Sequence, residues 1–308
     1  MKKSILLAFV FLSIIGCERD IPAALCPDDV GVINLIKIER KALIIGIDGF
    51  RSDVLEEGVA PFMYSLSLGG GVYFTANHIV EGDTYSGPNW SSLLTGVHYS
   101  KHNVTDNSFS GNRFGYYPPF QAYLERLNPK INTASITNWT PINTHIYPDN
   151  LDYAQQAVLN DSMVFKEAKE MLVDANPVAP DVLFLHFDEL DAAGHSYGFS
   201  RDVTEYVNTL HQIDLYVMNL FKIIEEKRNE GEDWIVFIVS DHGGDGFGHG
   251  DAENPHINTT VFFAQHPNLL FKNNYITNQT DLAPTILEFM GVSSPEFDCK
   301  TDGISIIQ

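Results

Sequence analysis

From residue 41 onward, continuous apolar runs alternate with amphipathic stretches. Ala42 to Ile47 is unbroken apolar sequence, the pattern of a strand buried on both faces of a parallel sheet. Asp181 to Phe187, Trp234 to Val239 and Thr259 to Phe263 read the same way, and Val72 to Val80 and Thr133 to Thr137 add two more strands. Helical spacing predicts helices over Asp53 to Leu68, Phe120 to Leu127, Ser162 to Asp174, Val203 to Arg228 and Leu282 to Met290, the last stopped by Gly291. Pro88 to Leu94 opens a further helix, with Ser86 just ahead of it. Tyr99 to Tyr117, rich in Asn, Ser and Gly, is expected to be a long functional loop. Strands separated by helices predict an α/β domain with a mainly parallel central sheet flanked by helices. No repeat or linker divides residues 41–308, so they read as one domain.

The first forty residues break this rhythm. Lys2 and Lys3 precede the apolar run Leu6 to Ile15, which is too short for an ordinary membrane helix and suits a signal peptide. The run ends in Ile14-Ile15-Gly16-Cys17, which resembles a bacterial lipobox. That resemblance implies a signal peptide over residues 1–16, a lipid on Cys17 and a tether over residues 17–40. The chain would then be exported and membrane-anchored in the bacterial cell envelope, at the periplasm or outer surface. An ordinary signal peptide with an incidental cysteine is the alternative. Export would put Cys26 and Cys299 in an oxidising compartment, where their pairing is an expectation.

Composition changes the picture in one respect. The chain carries 19 Lys and Arg against 40 Asp and Glu, a net charge of −21. Such a chain is repelled by polyphosphate, so wrapping of nucleic acid is not expected. Some of the excess carboxylates are candidates for holding cations. No protein partner is indicated.

The candidate chemistry lies where the strands end. Asp48 follows the first strand, and Asp188 and Asp191 follow the Asp181 to Phe187 strand, with His195 four residues on. Asp241 and His242 follow the Trp234 to Val239 strand, with His249 shortly after in Gly248-His249-Gly250. Ligands of open α/β sheets bind beyond the carboxyl ends of strands, so three strands would deliver acids and imidazoles to one edge. That mixture suits zinc better than calcium or magnesium. Six candidate ligands exceed what one zinc needs and point to a pair of ions. Ser86, at a predicted helix start, is a candidate nucleophile; its alternative reading is a helix cap.

Asp48-Gly49, Ser86-Gly87-Pro88-Asn89, Asp191-x-x-Gly194-His195, Asp241-His242-Gly243, His249-Gly250 and the stretch Asp281 to Leu287 resemble, in that order, the alkaline phosphatase superfamily. The resemblance is to its nucleotide pyrophosphatase/phosphodiesterase branch and covers about residues 41 to 290. It implies an alkaline-phosphatase-like fold and two Zn²⁺ ions. One would be held by Asp191, His195 and His249, the other by Asp48, Asp241 and His242 with Ser86 as a further ligand. Ser86 would be the catalytic nucleophile, forming a phospho-serine, and Asn89 would bind the phosphoryl oxygen. His256 competes with His249 for the last ligand position. The substrate implied is a small phosphodiester or pyrophosphate, nucleotides among them. His78, His98, His102, His186, His211 and His266 match nothing in the pattern and read as surface or packing residues, and Trp90, Trp139 and Tyr147 are candidates for an aromatic slot.

Three features depart from the branch. Ser86 stands where threonine is usual, Gly87 and Trp90 replace an aromatic residue and a histidine, and the chain is short. A phosphomonoesterase, a phosphonate hydrolase, a sulfatase and a catalytically silent ligand-binding lipoprotein are the alternatives on the same scaffold.

Overall fold

The structure, a computed structural model, describes residues 40–82, 84–147, 151–173, 178–292 and 300–308. The signal and tether segments, Cys17, Cys26 and Cys299 lie outside the described residues. Seven strands form one sheet: β1 (Arg40–Ile47), β2 (Val72–Ile79), β3 (Thr133–Thr137), β4 (Tyr153–Ala154), β5 (Val182–Phe187), β6 (Asp233–Val239) and β7 (Thr259–Gln265). Their spatial order is β2-β7-β6-β1-β5-β3-β4. The pairings from β6 through β1, β5 and β3 to β4 are parallel, whereas β7 pairs antiparallel with both β6 and β2. The expected mainly parallel sheet is therefore present, with one reversed strand that the apolar pattern of Thr259 to Phe263 does not distinguish.

The helices are α1 (Pro61–Ser67), α2 (Ser86–Thr95), α3 (Tyr99–His102), α4 (Phe120–Leu127), α5 (Asp161–Val173), α6 (Glu189–Tyr197), α7 (Thr204–Asn229), α8 (Pro255–Asn258) and α9 (Leu282–Phe289). They cover both faces of the sheet. Ala42 and Ile44 of β1 face one core with Trp90 and Leu93 of α2, Phe120 of α4 and Ile286 of α9. Leu43, Ile45 and Ile47 face the other core, with Met63 of α1, Val164 of α5, Leu190 of α6 and Leu210 of α7. This double burial is why β1 is apolar without alternation. Each buried Leu, Ile, Val, Met or Phe among them contributes roughly 1.5–3 kcal/mol by leaving water.

Two expectations about elements are corrected. The helix expected over Asp53 to Leu68 is a 3-10 turn at Ser52–Val54 followed, after an irregular stretch, by α1. Pro61 occupies the first position of α1, where its missing N–H costs nothing, and it disfavours helix in the residue before it. The loop expected from Tyr99 begins instead with the single turn α3. Among the described residues no helix is long and apolar enough to cross a membrane.

The parallel register aligns the strand ends. Ile47 of β1 pairs with Phe187 of β5, and Gly46 with Val239 of β6, so Asp48, Asp188 and Ser240 leave the sheet side by side.

Candidate metal centre

Each strand end hands over its polar residues differently. Asp48 follows β1 directly, and Asp241 and His242 follow β6; all three are at most 1% exposed. β5 continues into α6, whose turn places Asp191 and His195 on one side with Asp191 Oδ2 3.3 Å from His195 Nε2. Gln279 fixes the β6 end by donating from Nε2 to the carbonyls of Ser240 (3.2 Å) and Asp241 (2.6 Å).

His242 Nε2 is the hub of one half of the centre. Around it lie Asp241 Oδ2 at 3.1 Å, Ser86 Oγ at 3.3 Å and Asp48 Oδ1 at 3.4 Å. The four residues expected to share one ion thus converge on one point. In the other half, donor atoms of Asp191, His195 and His249 lie within 4.8 Å of one another. Asp191 also groups with Asp48 and His242 at that spacing, so it joins the two halves. The rings of His242 and His249 stack with centroids 3.8 Å apart. His256, with its side chain 48% exposed and Nδ1 3.7 Å from Asp53 Oδ2, is not in the group that His249 forms with Asp191 and His195.

The tautomers follow from the backbone. His195 Nδ1 donates to the Phe247 carbonyl (2.9 Å), His242 Nδ1 to that of Gly243 (2.8 Å) and His249 Nδ1 to that of Thr84 (2.6 Å). A carbonyl only accepts, so each Nδ1 carries a proton and each Nε2 keeps its lone pair, the arrangement typical of metal-ligating histidine. Burial lowers the basicity of His242, and burial followed by the charge of His242 takes His249 down to about 3. Both imidazoles are neutral near pH 7.

The carboxylates show the opposite strain. Burial, then the charge of Asp241, pushes Asp48 well above the usual carboxylate range; burial, then Asp191, does the same to Asp241. Asp191 is pushed up to about 9 by burial, then by Asp48 and Asp188. Asp48 Oδ1, Asp191 Oδ1 and Asp241 Oδ2 are buried without a hydrogen-bond partner. Orphaned buried carboxylate oxygens are expensive, and divalent cations among them remove the cost. The donor set, carboxylate oxygens with imidazole Nε2 atoms, fits zinc or a similar transition metal.

Ser86 is the first residue of α2, and Tyr85 takes the cap position without a side-chain cap bond. The hydroxyl of Ser86 is therefore not spent on capping. Asn89 is engaged by the backbone around it. Its Oδ1 accepts from the Glu81 N–H (2.9 Å), its Nδ2 donates to the Tyr85 carbonyl (2.9 Å), and it is fully buried. These bonds give Asn89 a structural role: it fastens the first turn of α2. Asn107, which the sequence reading passed over, bonds to the residue after Ser86. Its Oδ1 accepts from the Gly87 N–H (2.8 Å), and no partner engages its Nδ2 among the described residues.

Trp90 and His186 are likewise reassigned. Trp90 Nε1 donates to Asp48 Oδ2 (3.0 Å), and His186 Nε2 approaches the same oxygen at 3.1 Å, so both orient the carboxylate while Oδ1 faces His242. Gly46 permits this, because a Cβ there would meet the Trp90 ring at 2.6 Å. Trp90 and Tyr147 are both buried, which removes them from the expected aromatic slot; Tyr147 instead accepts from Gln121 (2.6 Å). Asp188 also groups with Asp48 and His186, and burial raises it to about 6. Local sequence carries no signal for His186 or Asn107, since each acts through a contact made across the fold.

A model of the type I phosphodiesterase / nucleotide pyrophosphatase family matches residues 42–266. An uncharacterized pyrophosphatase/phosphodiesterase of Schizosaccharomyces pombe is 23% identical over 223 residues, covering 67% of this chain and 45% of its own length. Ectonucleotide pyrophosphatase/phosphodiesterase 2 of Saccharomyces cerevisiae is 22% identical over 254 residues, covering 71% of this chain and 50% of its own length. The chain thus spans about half the length of these curated relatives. Among solved structures, an inactive form of murine ectonucleotide pyrophosphatase / phosphodiesterase 5 in complex with AMP superposes with a TM-score of 0.64 at 14% identity, covering 87% of this chain and 100% of that one. At that identity the likeness speaks for the fold.

Proposed function

Because the chain belongs to the type I phosphodiesterase / nucleotide pyrophosphatase family, we propose that it is a zinc-dependent hydrolase of phosphodiester or pyrophosphate bonds with Ser86 as nucleophile. One observation carries the reading: Ser86 Oγ, Asp48 Oδ1 and Asp241 Oδ2 all lie within 3.4 Å of His242 Nε2, beside the Asp191, His195 and His249 group.

Asp48, Asp241 and His242 with Ser86 would hold one zinc ion, and Asp191, His195 and His249 the other. When bound, the ions supply the positive charge that favours ionised Ser86 and offsets charge developing on the leaving oxygen. The chain's own residues do the rest. Ser86 presents Oγ at the N-terminus of α2, where the helix dipole favours an anionic phosphoryl group. Oγ attacks phosphorus, the bond from phosphorus to the leaving oxygen breaks, and a phospho-serine results. Water then attacks phosphorus and the Ser86 oxygen departs. Asp48, held by Trp90 and His186, keeps its free oxygen aimed at the reacting region.

A singly charged ester suits this site better than a monoester with two charges, which ordinarily calls for extra cationic contacts. Lys101 is held by Asp302 at 2.6 Å, and Arg51 by Asp53 at 2.8 Å. The AMP held by the murine structure supports a nucleotide ester as one substrate. The test compares kcat/KM for bis-p-nitrophenyl phosphate and p-nitrophenyl phosphate on one preparation. The diester should be favoured, with chelation abolishing turnover and zinc restoring it. A clear advantage for the monoester would replace the diesterase reading with a phosphatase one; full activity after complete metal removal would end the metal reading. The same proposal includes residues 41–308 as one catalytic domain, exported and tethered through a lipid on Cys17.

A further inference from the structure

The surroundings of the centre are unequal. Behind Ser86 the space is filled: a Cβ on Gly87 would come within 2.7 Å of the Asp106 carbonyl and 3.1 Å of Asn107 Oδ1. Around Asp191, His195 and His249 the surface is apolar and open. Tyr85 is 47%, Tyr197 56% and Phe247 67% exposed. Each is tied to that half of the centre. The Tyr85 ring stands edge-on to His249 with centroids 6.1 Å apart. The Phe247 carbonyl holds His195 Nδ1, and Tyr197 ends α6 two residues beyond His195.

Phe247 is also presented deliberately. Asp245 N donates to the Gly248 carbonyl (2.8 Å) and Gly248 N to that of Asp245 (3.1 Å), closing a tight turn with Phe247 at its tip. Gly246, at φ +56, supplies the left-handed residue that this turn needs. The ring has no core duty, because buried Phe199 already packs against His195 (5.3 Å) and His249 (6.4 Å). Several large apolar side chains left in water beside one cluster mark a binding surface.

In an in-line displacement the nucleophile and the leaving oxygen lie on opposite sides of phosphorus. Ser86 Oγ belongs to the His242 half, which leaves the Asp191, His195 and His249 half for the leaving oxygen and whatever it carries. Resting on the hydrolytic reading above, we infer that Phe247 and Tyr85 grip the leaving arm of the ester, and that the preferred leaving group is flat and aromatic or heteroaromatic.

Two phosphonate esters separate the arms, since a carbon–phosphorus bond cannot serve as the leaving bond. p-Nitrophenyl methylphosphonate has a flat leaving arm and a small retained one; trifluoroethyl phenylphosphonate reverses them. Comparing Phe247→Ala with wild type on each ester cancels intrinsic reactivity. The variant should lose about fivefold in kcat/KM on the first ester, the scale of one aromatic contact, and change little on the second. In a Ser86→Ala background, calorimetry should find p-nitrophenyl methylphosphonate bound more weakly by a similar factor, and Phe247→Tyr should restore both quantities. Equal losses on the two esters, a loss confined to the phenylphosphonate, or no loss would each overturn the assignment. A wild-type chain that turns over neither ester fails differently: it removes the hydrolase reading, and this inference with it.

Discussion

Ser86 and Asp48 illustrate how much depends on where one side chain points. Ser86 opens α2 but leaves capping undone, and its hydroxyl lies 3.3 Å from His242 Nε2. Ser86→Ala should lower kcat by about a thousandfold or more, as loss of a covalent nucleophile does, with circular dichroism and zinc content close to wild type. Residual activity of a tenth or more would identify another nucleophile. Asp48 is prepared by its neighbours, with one oxygen occupied by Trp90 and His186 and the other free. Trp90→Phe keeps an aromatic ring in the core but removes the indole N–H together with part of the buried ring. Zinc affinity should fall about tenfold, the usual scale for losing an orienting partner. Unchanged affinity in a chelator competition would show that Trp90 merely packs.

At the scale of elements, two helices carry candidate site residues and each is fastened from elsewhere. α2 is held by Asn89 bonding to Glu81 and Tyr85, and by Ser92 Oγ donating to Glu81 Oε1 at 2.8 Å. α6 is held by Asp161, at the start of α5. Asp161 accepts from the N–H of Asp188 (2.9 Å) and of Glu189 (3.2 Å), and from Asn138 Nδ2 (2.8 Å). Asp161→Ala should cost about 1–2 kcal/mol, as loss of a helix cap does, and lower metal occupancy through Asp191 and His195. Burial raises Asp161 to about 6, only partly opposed by these bonds. A carboxyl whose folded value is raised binds more protons folded than unfolded, so its contribution to stability falls as pH rises from about 4 to 6. Asp161→Asn, which cannot ionise, should flatten that part of the pH–stability curve. Urea midpoints across the range check this, and an unchanged slope would contradict it.

Across the whole molecule, the excess of acid has at least one local cause. Several carboxylates are gathered at a single sheet edge, where neutral imidazoles and buried surroundings make bound cations the natural counter-charge. The proposed attachment through Cys17 would place this edge in an extracytoplasmic compartment. Cys17→Ser should move the protein from the membrane fraction to the soluble fraction without changing kcat. Unchanged partitioning, with an intact mass lacking lipid in the wild type, would dismiss the anchor.

The sequence by itself determined six of the seven strands, the limits of the longer helices to within a residue or two outside the Asp53 to Leu68 stretch, and the candidate metal-site residues. Phe120 to Leu127 and Thr133 to Thr137 appear with the expected bounds, and Asp48, Asp241 and His242 stand where apolar runs end. These are local facts: burial on both faces writes itself as a continuous apolar run, and a polar residue after the run marks the strand's end. Only the tertiary structure decided that β7 runs backwards, that Asp191 joins the two halves, and that Asn107 bonds to Gly87, next to Ser86. It also decided that His186 and Trp90 serve Asp48. Such roles follow from what packs against a residue across the fold: His186 meets Asp48 from 138 positions away, and Ser86 meets His242 across 156. A side chain's local pattern says whether it is buried or exposed; its hydrogen-bond partner is set by the crossing of elements that only the folded chain brings together.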